Sequence, residues 1–522
     1  MTQLAESTPR LSDLDEHERG ERFARLQRRL IGVWETLRLN QAGQSIIVVP
    51  SVVPDASQDG AALQALEERF LFLLLLLRGP RLRVIYLTGR PVSESVVDYY
   101  LGLLPGVIPQ QARKRLYMIS ANDGSARPLA EKLLARPRML AQLRALIPDP
   151  LQCHLVPYAT TERERDLALS LGVPLYGTDP ALLHFGTKTG CRRLFADVGI
   201  AHPFGEEDLH EPADVVAALA RLRAARPGAA KAILKLNEGV AGRGNAVIDL
   251  AELPAPGSPD ESAELAARLN AMSFEHPSVT LSAYLAQLSG DGGIVEERVM
   301  GAEVRSPSVQ LRITPPGDVE MLSTHDQLLG GPSGQSYLGC RFPADFGYAQ
   351  AITREAAKVG AALARAGVLG RFALDFVVVR DGYGAWTPYA IELNLRKGGT
   401  THPFLTLQFL TDGTYDEDTA LFRAPSGREK HLVATDHFES DLLRGLSLDD
   451  LFDVAVRHRL HFDQARQTGV VFHMMSALSE VGRVGLTAVG DSRDQADTIY
   501  RRAERILLEE AVPPPEPALP PV

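Results

Sequence analysis

The chain has 522 residues, 45% hydrophobic and 23% charged, a balance that supports large apolar cores and excludes general disorder. Acidic residues (65) outnumber basic ones (55) for a net charge of −10, so no overall positive field gathers phosphate backbones, and nucleic acid is not an expected partner. The longest apolar run, residues 70–77, is far shorter than the roughly 20 residues a spanning helix needs; it predicts a buried helix, and no membrane partner.

Residues 1–43 read as a helical or flexible segment. Their acidic, polar start lacks the basic head and apolar middle of a secretory signal, which predicts a cytoplasmic protein. From 44 to 179, β-branched runs alternate with helical patterns: QSIIVVPSV, ALQALEERFLFLLLLLRG, LRVIYLTGR, SESVVDYYLGLL, RLYMIS, one helix through PLAEKLLARPRMLAQLRALI, and CHLVPYA. Strands separated by helices predict a parallel α/β layer. No GxGxxG comes after the first strand, so this layer has no dinucleotide fingerprint.

From 180 to 424 the pattern becomes α+β. A helix carries HFGTKTGCRRLFADVG, strands KAILKLN and AVIDL flank a glycine-rich loop, and residues 254–264 read as a surface loop. Next come GIVEERV, a long strand-rich segment, the helix REAAKVGAALARAG and the strands ALDFVVV and YAIELNL. Residues 425–510 predict a small α+β domain, and 511–522, with six prolines among them, a disordered tail. Cys153, Cys191 and Cys340 form no CxxC pair and read as small buried hydrophobes.

Two strand segments carry the strongest chemistry. Alternation puts Glu392 and Asn394 on one face of their strand, and Asp375 lies on the neighbouring one. Two carboxylates and an amide oxygen form a hard oxygen set suited to Mg²⁺, although an isolated ExN also describes a solvated edge strand. In the loop from Glu238 to Asn245, the glycines Gly239, Gly242 and Gly244 around Arg243 let backbone N–H groups approach phosphate, while a plain hairpin turn is the other reading. Lys188, near a helix start, and Lys235, in an apolar strand beside the loop, can each meet a phosphate or serve as surface charge. No GxSxG elbow or Walker loop occurs.

In this order, Lys188, Lys235, the glycine-rich loop, VEERVMGAE, Asp375 and Glu392-x-Asn394 resemble the ATP-grasp superfamily of carboxylate-amine ligases. The resemblance implies a pre-ATP-grasp α/β layer, a two-lobed ATP-grasp unit and a small C-terminal α+β domain. It further implies ATP and Mg²⁺ as cofactors. Lys188 and Lys235 would meet the nucleotide phosphates, and the loop would close over them. Main-chain groups of Glu296 and Val299 would read the adenine, Glu303 would accept from the ribose, and Asp375, Glu392 and Asn394 would hold Mg²⁺. Arg396 and Lys397 would face the phosphate or acyl phosphate.

The phrases STHDQLLGGPSGQSYLGCRFPA, ELNLRKGGTTHPF and TGVVFHMMSAL are similar to the pheganomycin-type peptide ligases. This narrower resemblance implies an ATP-dependent ligase joining a carboxylate to an amine or peptide, both small molecules. A nucleotide-binding regulatory protein of the same fold is the alternative. His325, Asp326 and Gln327 are expected to orient substrates or accept the amine's proton, or else Asp326 stabilises an Asx-type turn. Arg305 and Arg312 are candidates for a substrate carboxylate or solvated charges. His402 and His473 are pocket candidates in segments where a lone histidine is ordinarily structural. The sequence does not give an oligomeric state, although an exposed helix face in the N-terminal layer could support a homo-oligomer such as a dimer.

Overall fold

The computed structural model describes residues 11–39, 43–52, 60–239, 244–276, 278–331 and 334–512. The predicted parallel layer is built from β1 (Gln44–Val49), β2 (Leu82–Thr88), β3 (Leu116–Ser120) and β4 (Cys153–Pro157), in the order β3-β2-β1-β4 with every pairing parallel. β1 and β4 are buried along their whole length, as strands covered on both faces must be.

Two helical expectations change. The leucine run is buried, but it forms a 3-10 helix, Leu71–Arg78, separated from the preceding helix Gly60–Glu68 where Arg69 turns to pair with Asp436. The single helix expected through residues 129–147 is two, Leu129–Leu134 and Pro137–Leu146. Pro137 lacks the N–H that would continue the first and stands in the first turn of the second.

A five-stranded antiparallel sheet comes next, with β5 (Gly205–Leu209), β6 (Lys231–Leu236), β7 (Asn245–Asp249), β8 (Ser273–Phe274) and β9 (Gly293–Glu297) in the order β5-β9-β6-β7-β8. The surface loop ends earlier than expected, because the helix Glu261–Asn270 begins inside it. The largest sheet comprises β10 (Glu303–Arg305), β11 (Pro307–Ile313), β12 (Val319–Gly330), β13 (Ser336–Phe342), β14 (Gly370–Arg380) and β15 (Trp386–Asn394). After the hairpin β16 (Thr414–Asp416) and β17 (Leu421–Arg423), the sheet is completed by β18 (His431–Glu439), β19 (Gly469–His473) and β20 (Arg483–Gly490).

The C-terminal strands therefore do not form a sheet of their own. β18 pairs with β13, Phe342 opposite Leu432, and carries the nine-stranded sheet onward through β20 to β19. One apolar core joins this extension to the N-terminal layer, with Phe70, Phe72 and Tyr100 packed among the same residues as Phe342, Phe404 and Phe472. The three cysteines are buried and free. Among the described residues no helix is long and apolar enough to cross a membrane.

Candidate active site

A cavity of about 900 Å³ lies where the three sheets meet. Ser51 and Val52 just after β1, and Tyr158 to Thr161 just after β4, form its N-terminal wall, so the carboxyl ends of parallel strands open onto it. β6 and β9 form a second wall, and β14 and β15 a third.

On the β14–β15 wall, Asp375 stands directly opposite Glu392 in the antiparallel register, with a bulge immediately after Asp375. Asn394 is two residues along on the same face, as alternation requires. The amides of Gln327 and Asn394 each donate to one oxygen of Asp375, at 2.8 and 3.0 Å. Lys188, set at the first turn of the helix Lys188–Asp197 by the Thr187 cap, reaches across to Glu392 at 2.6 Å.

The two carboxyls respond differently. Burial and then the facing Glu392 push Asp375 up to about 6. Burial also works to raise Glu392, but Lys188, Lys235 and Arg396 outweigh it and hold that carboxyl below its ordinary value. A divalent cation would relieve the repulsion that raises Asp375. With its Nδ2 committed to Asp375, Asn394 has its Oδ1 left as a ligand. The donor set fits Mg²⁺.

On the β6–β9 wall, Lys235 is 3% exposed and its Nζ lies 2.5 Å from Glu296, which is 2% exposed. Arg192 meets the other Glu296 oxygen at 3.2 Å and Glu207 at 2.7 Å. The Glu296 carboxylate is thus committed within the protein, and Val299 lies on the cavity just past the end of β9. At the neck of the glycine-rich loop, Gly239 and Gly244 pack backbone against backbone. A Cβ on Gly239 would come within 3.1 Å of the Gly244 Cα, which is why side chains are absent there. Gly242 and Arg243 lie outside the described residues.

Arg396 stands just past β15 on the cavity wall, within 3.4 Å of the Tyr158 hydroxyl, and Arg69 lies 5.4 Å from the centre of the same ring. Sequence reasoning missed Arg69, Tyr158 and Asp436, all of which line the cavity. Only Tyr158 carried a signal, its place at the end of a parallel strand.

Four expected site residues are not brought to the cavity. His325 is fully buried, its ring centre 5.0 Å from Phe342 and 6.2 Å from Phe404, and burial pushes it down to about 3. Packed against these rings and absent from the cavity lining, it does not reach a substrate there, which overturns the expected proton-accepting role. Asp326 accepts from the Tyr348 hydroxyl at 2.6 Å and the Asp345 N–H at 3.1 Å, tying a strand to the helix Phe346–Arg365; its part is the structural one. Lys397 points its ammonium at the Pro157 carbonyl at 2.5 Å, joining the segment that follows β15 to the end of β4, and burial pushes it down to about 7. Glu303 lies beside the cavity, its carboxylate held by Arg305 and Arg380. Arg305 itself lines the cavity, whereas Arg312 pairs with Glu320 and stacks over Trp34.

Among known proteins, the family described as IQCH-like, ATP-grasp, matches residues 180–266 and 259–418, and the PGM1 C-terminal domain matches 450–503. The chain is 30% identical over 449 residues to an L-propargylglycine–L-glutamate ligase of Streptantibioticus cattleyicolor, covering 84% of this chain and 89% of that one. It is 26% identical over 392 residues to an IQ motif-containing protein H of Danio rerio, covering 67% of this chain but only 37% of that protein. Biotin carboxylase from Campylobacter jejuni superposes with a TM-score of 0.53 at 13% identity, over 90% of this chain and 95% of that one. The biotin carboxylase domain of Hydrogenobacter thermophilus 2-oxoglutarate carboxylase, a complex with MgADP, ADP and bicarbonate, gives 0.53 at 13% over 89% and 90%. These two likenesses bear on fold alone.

Proposed function

Because this chain belongs to the ATP-grasp superfamily, we propose that it is an ATP-dependent ligase that activates a carboxylate as an acyl phosphate and joins it to an amine, releasing ADP and phosphate. Its substrates are small molecules, with amino acids or short peptides as both acid and amine, as the name of the Streptantibioticus relative suggests. The observation that carries this reading is the shared cavity: opposed carboxylates Asp375 and Glu392 on one wall, Lys188 and Lys235 reaching it from others, and volume for a nucleotide with a small substrate.

A carboxylate is a poor acyl donor, and it repels the triphosphate it must attack. Lys188 and Lys235 would offset that repulsion, and Asp375, Glu392 and Asn394 would hold Mg²⁺, whose positive charge would help neutralise the transferring phosphoryl group. The substrate oxygen attacks the γ-phosphorus and ADP leaves. The amine then attacks the activated carbonyl, the bond to phosphate breaks, and the amine's proton passes to the departing phosphate or to water. Arg396, on the cavity wall, would stabilise the oxyanion formed between these events. The chain's own task is to hold both substrates in line and apart from water.

The test supplies Mg-ATP, pooled amino acids and hydroxylamine as a generic amine. ADP together with a hydroxamate is the expected result, and division of the pool then identifies the acid. AMP in place of ADP would overturn the acyl-phosphate route. Tight Mg-ATP binding without turnover on any acid or peptide would favour the non-catalytic regulator instead.

A further inference from the structure

At the edge of the same cavity, three side chains from distant parts of the chain converge. His402 lies in the first turn of the helix Thr401–Thr411, Asp436 on β18, and His473 is the last residue of β19. The Nε2 atoms of the two histidines are 3.0 Å apart, and Asp436 Oδ1 lies 3.0 Å from the first and 2.9 Å from the second. All three residues are buried, between 3% and 4% exposed by side chain.

A triangle of polar atoms cannot be satisfied by protons alone. Each hydrogen bond needs one donor and one acceptor, and three mutually touching atoms assigned to two roles always leave two of the same kind in contact. Here that means two N–H groups, or a lone pair against the carboxylate, face each other at about 3 Å away from water, which is costly. A cation removes the conflict, since both imidazoles and the carboxylate can present lone pairs to it. An ion ~2.0–2.1 Å from each atom would stand about 1 Å out of their plane, leaving further positions open.

The surroundings are built for this cluster. β18 bulges between Thr435 and Phe438, which releases Asp436 from the regular register. Arg69 donates to the second oxygen, Oδ2, at 3.0 Å and so aims Oδ1 at the histidines. Opposite His473 in the ladder is Gly485, where a Cβ would collide with the His473 ring, so the sheet gives up a side chain to seat that ring. The polar contacts of the His402 ring are both made through Nε2, to His473 and to Asp436. Asp436, His437 and Met474 line the cavity, which gives an ion a way in.

We infer that His402, Asp436 and His473 form a second metal site, selective for a divalent first-row transition ion of the Zn²⁺ class, separate from the oxygen-only set at Asp375, Glu392 and Asn394. Two imidazole nitrogens suit such an ion and suit Mg²⁺ poorly. Asp436, one of the three ligands, lines the cavity, where a water or a substrate carboxylate or amine would complete the shell. The inference stands apart from the ligase reading, because metal occupancy can be measured without turnover.

The test uses the full chain, free of any histidine tag and stripped with chelator, titrated with CoCl₂ and then with ZnCl₂ in excess Mg²⁺. One Co²⁺ per chain is expected, with a visible d–d band that Zn²⁺ abolishes and Mg²⁺ does not. Glu392→Gln should leave the band intact, while His402→Gln and Asp436→Asn, each checked for fold by circular dichroism and thermal melting, should weaken Co²⁺ binding at least tenfold. No band in the wild-type chain, or a band that survives in a folded His402→Gln, His473→Gln double variant, would overturn the site.

Discussion

Two walls of one cavity treat charge in opposite ways. At the β6–β9 wall, Lys235 and Glu296, with Arg192 from the helix Lys188–Asp197 and Glu207 from β5, alternate in sign and satisfy one another inside the protein. On β14 and β15, Asp375 and Glu392 face each other across a strand pair, and only Glu392 has a cation of its own, Lys188. The first wall is complete without a ligand, whereas the second sets two carboxylates face to face and leaves Asp375 with no ion pair of its own among the described residues, which is the condition a metal ion would relieve. The difference separates residues that build the cavity from residues that wait for something in it.

The largest effect should come from the uncompensated wall. Glu392→Gln keeps size and a partner for Lys188 but removes the charge that would anchor Mg²⁺; ATP turnover should fall about a thousandfold or more while the melting temperature changes little. A variant that still turns over ATP with Mg²⁺ would remove the metal assignment.

This wall was also the most legible part of the sequence. The alternation that places Glu392 with Asn394, and the pairing of their strand with that of Asp375, come from period and proximity alone. His325 was not legible, because the rings that bury it, Phe342 and Phe404, come from another strand and a later helix, and no local pattern encodes their arrival. The joining of Arg69, Tyr158 and Asp436 is equally non-local, each being supplied by a different element. Pro137, by contrast, announced the break in its helix in plain chemical terms, and the long apolar periodicity concealed it. The merging of the C-terminal strands into the large sheet depends on β13 offering a free edge, a property of the assembled sheet and not of residues 425–510.

The compensated wall predicts a different failure. Lys235→Met leaves Glu296 buried with one cation fewer and should destabilise the fold by about 3–5 kcal/mol as well as weaken nucleotide binding. Adding Glu296→Gln removes the stranded charge and should restore most of the stability but not the nucleotide affinity. Chemical denaturation and Mg-ATP titration on the single and double variants separate the two roles; recovery of both together would mean that Lys235 acts only as Glu296's counterion.

Glu67 tests whether uncompensated burial alone has the consequence claimed for Asp375. It is 2% exposed, accepts the Gly89 N–H at 2.6 Å, and burial pushes it up to about 7, with Lys132 offsetting only part of the cost. The folded protein therefore keeps a proton that the unfolded chain has lost above about 4.5, so this contribution is intact at low pH and declines as pH rises to about 7. The decline should be at most about 3 kcal/mol. Denaturation midpoints between pH 5 and 7 should fall less steeply in Glu67→Gln than in the wild type, and an unchanged slope would show that Glu67 is ionised in the fold.

The smallest effect belongs to the rim between the walls. Glu303 is one-third exposed, and Arg305 and Arg380 already hold its carboxylate at the cavity's edge below its ordinary ionisation range. Glu303→Gln keeps an acceptor oxygen there, so the KM for ATP should rise only about threefold with kcat unchanged, as for loss of one exposed, charge-assisted contact. A rise of tenfold or more would mean that Glu303 leaves its arginines to hold the nucleotide ribose, and the rim would then belong with the uncompensated wall.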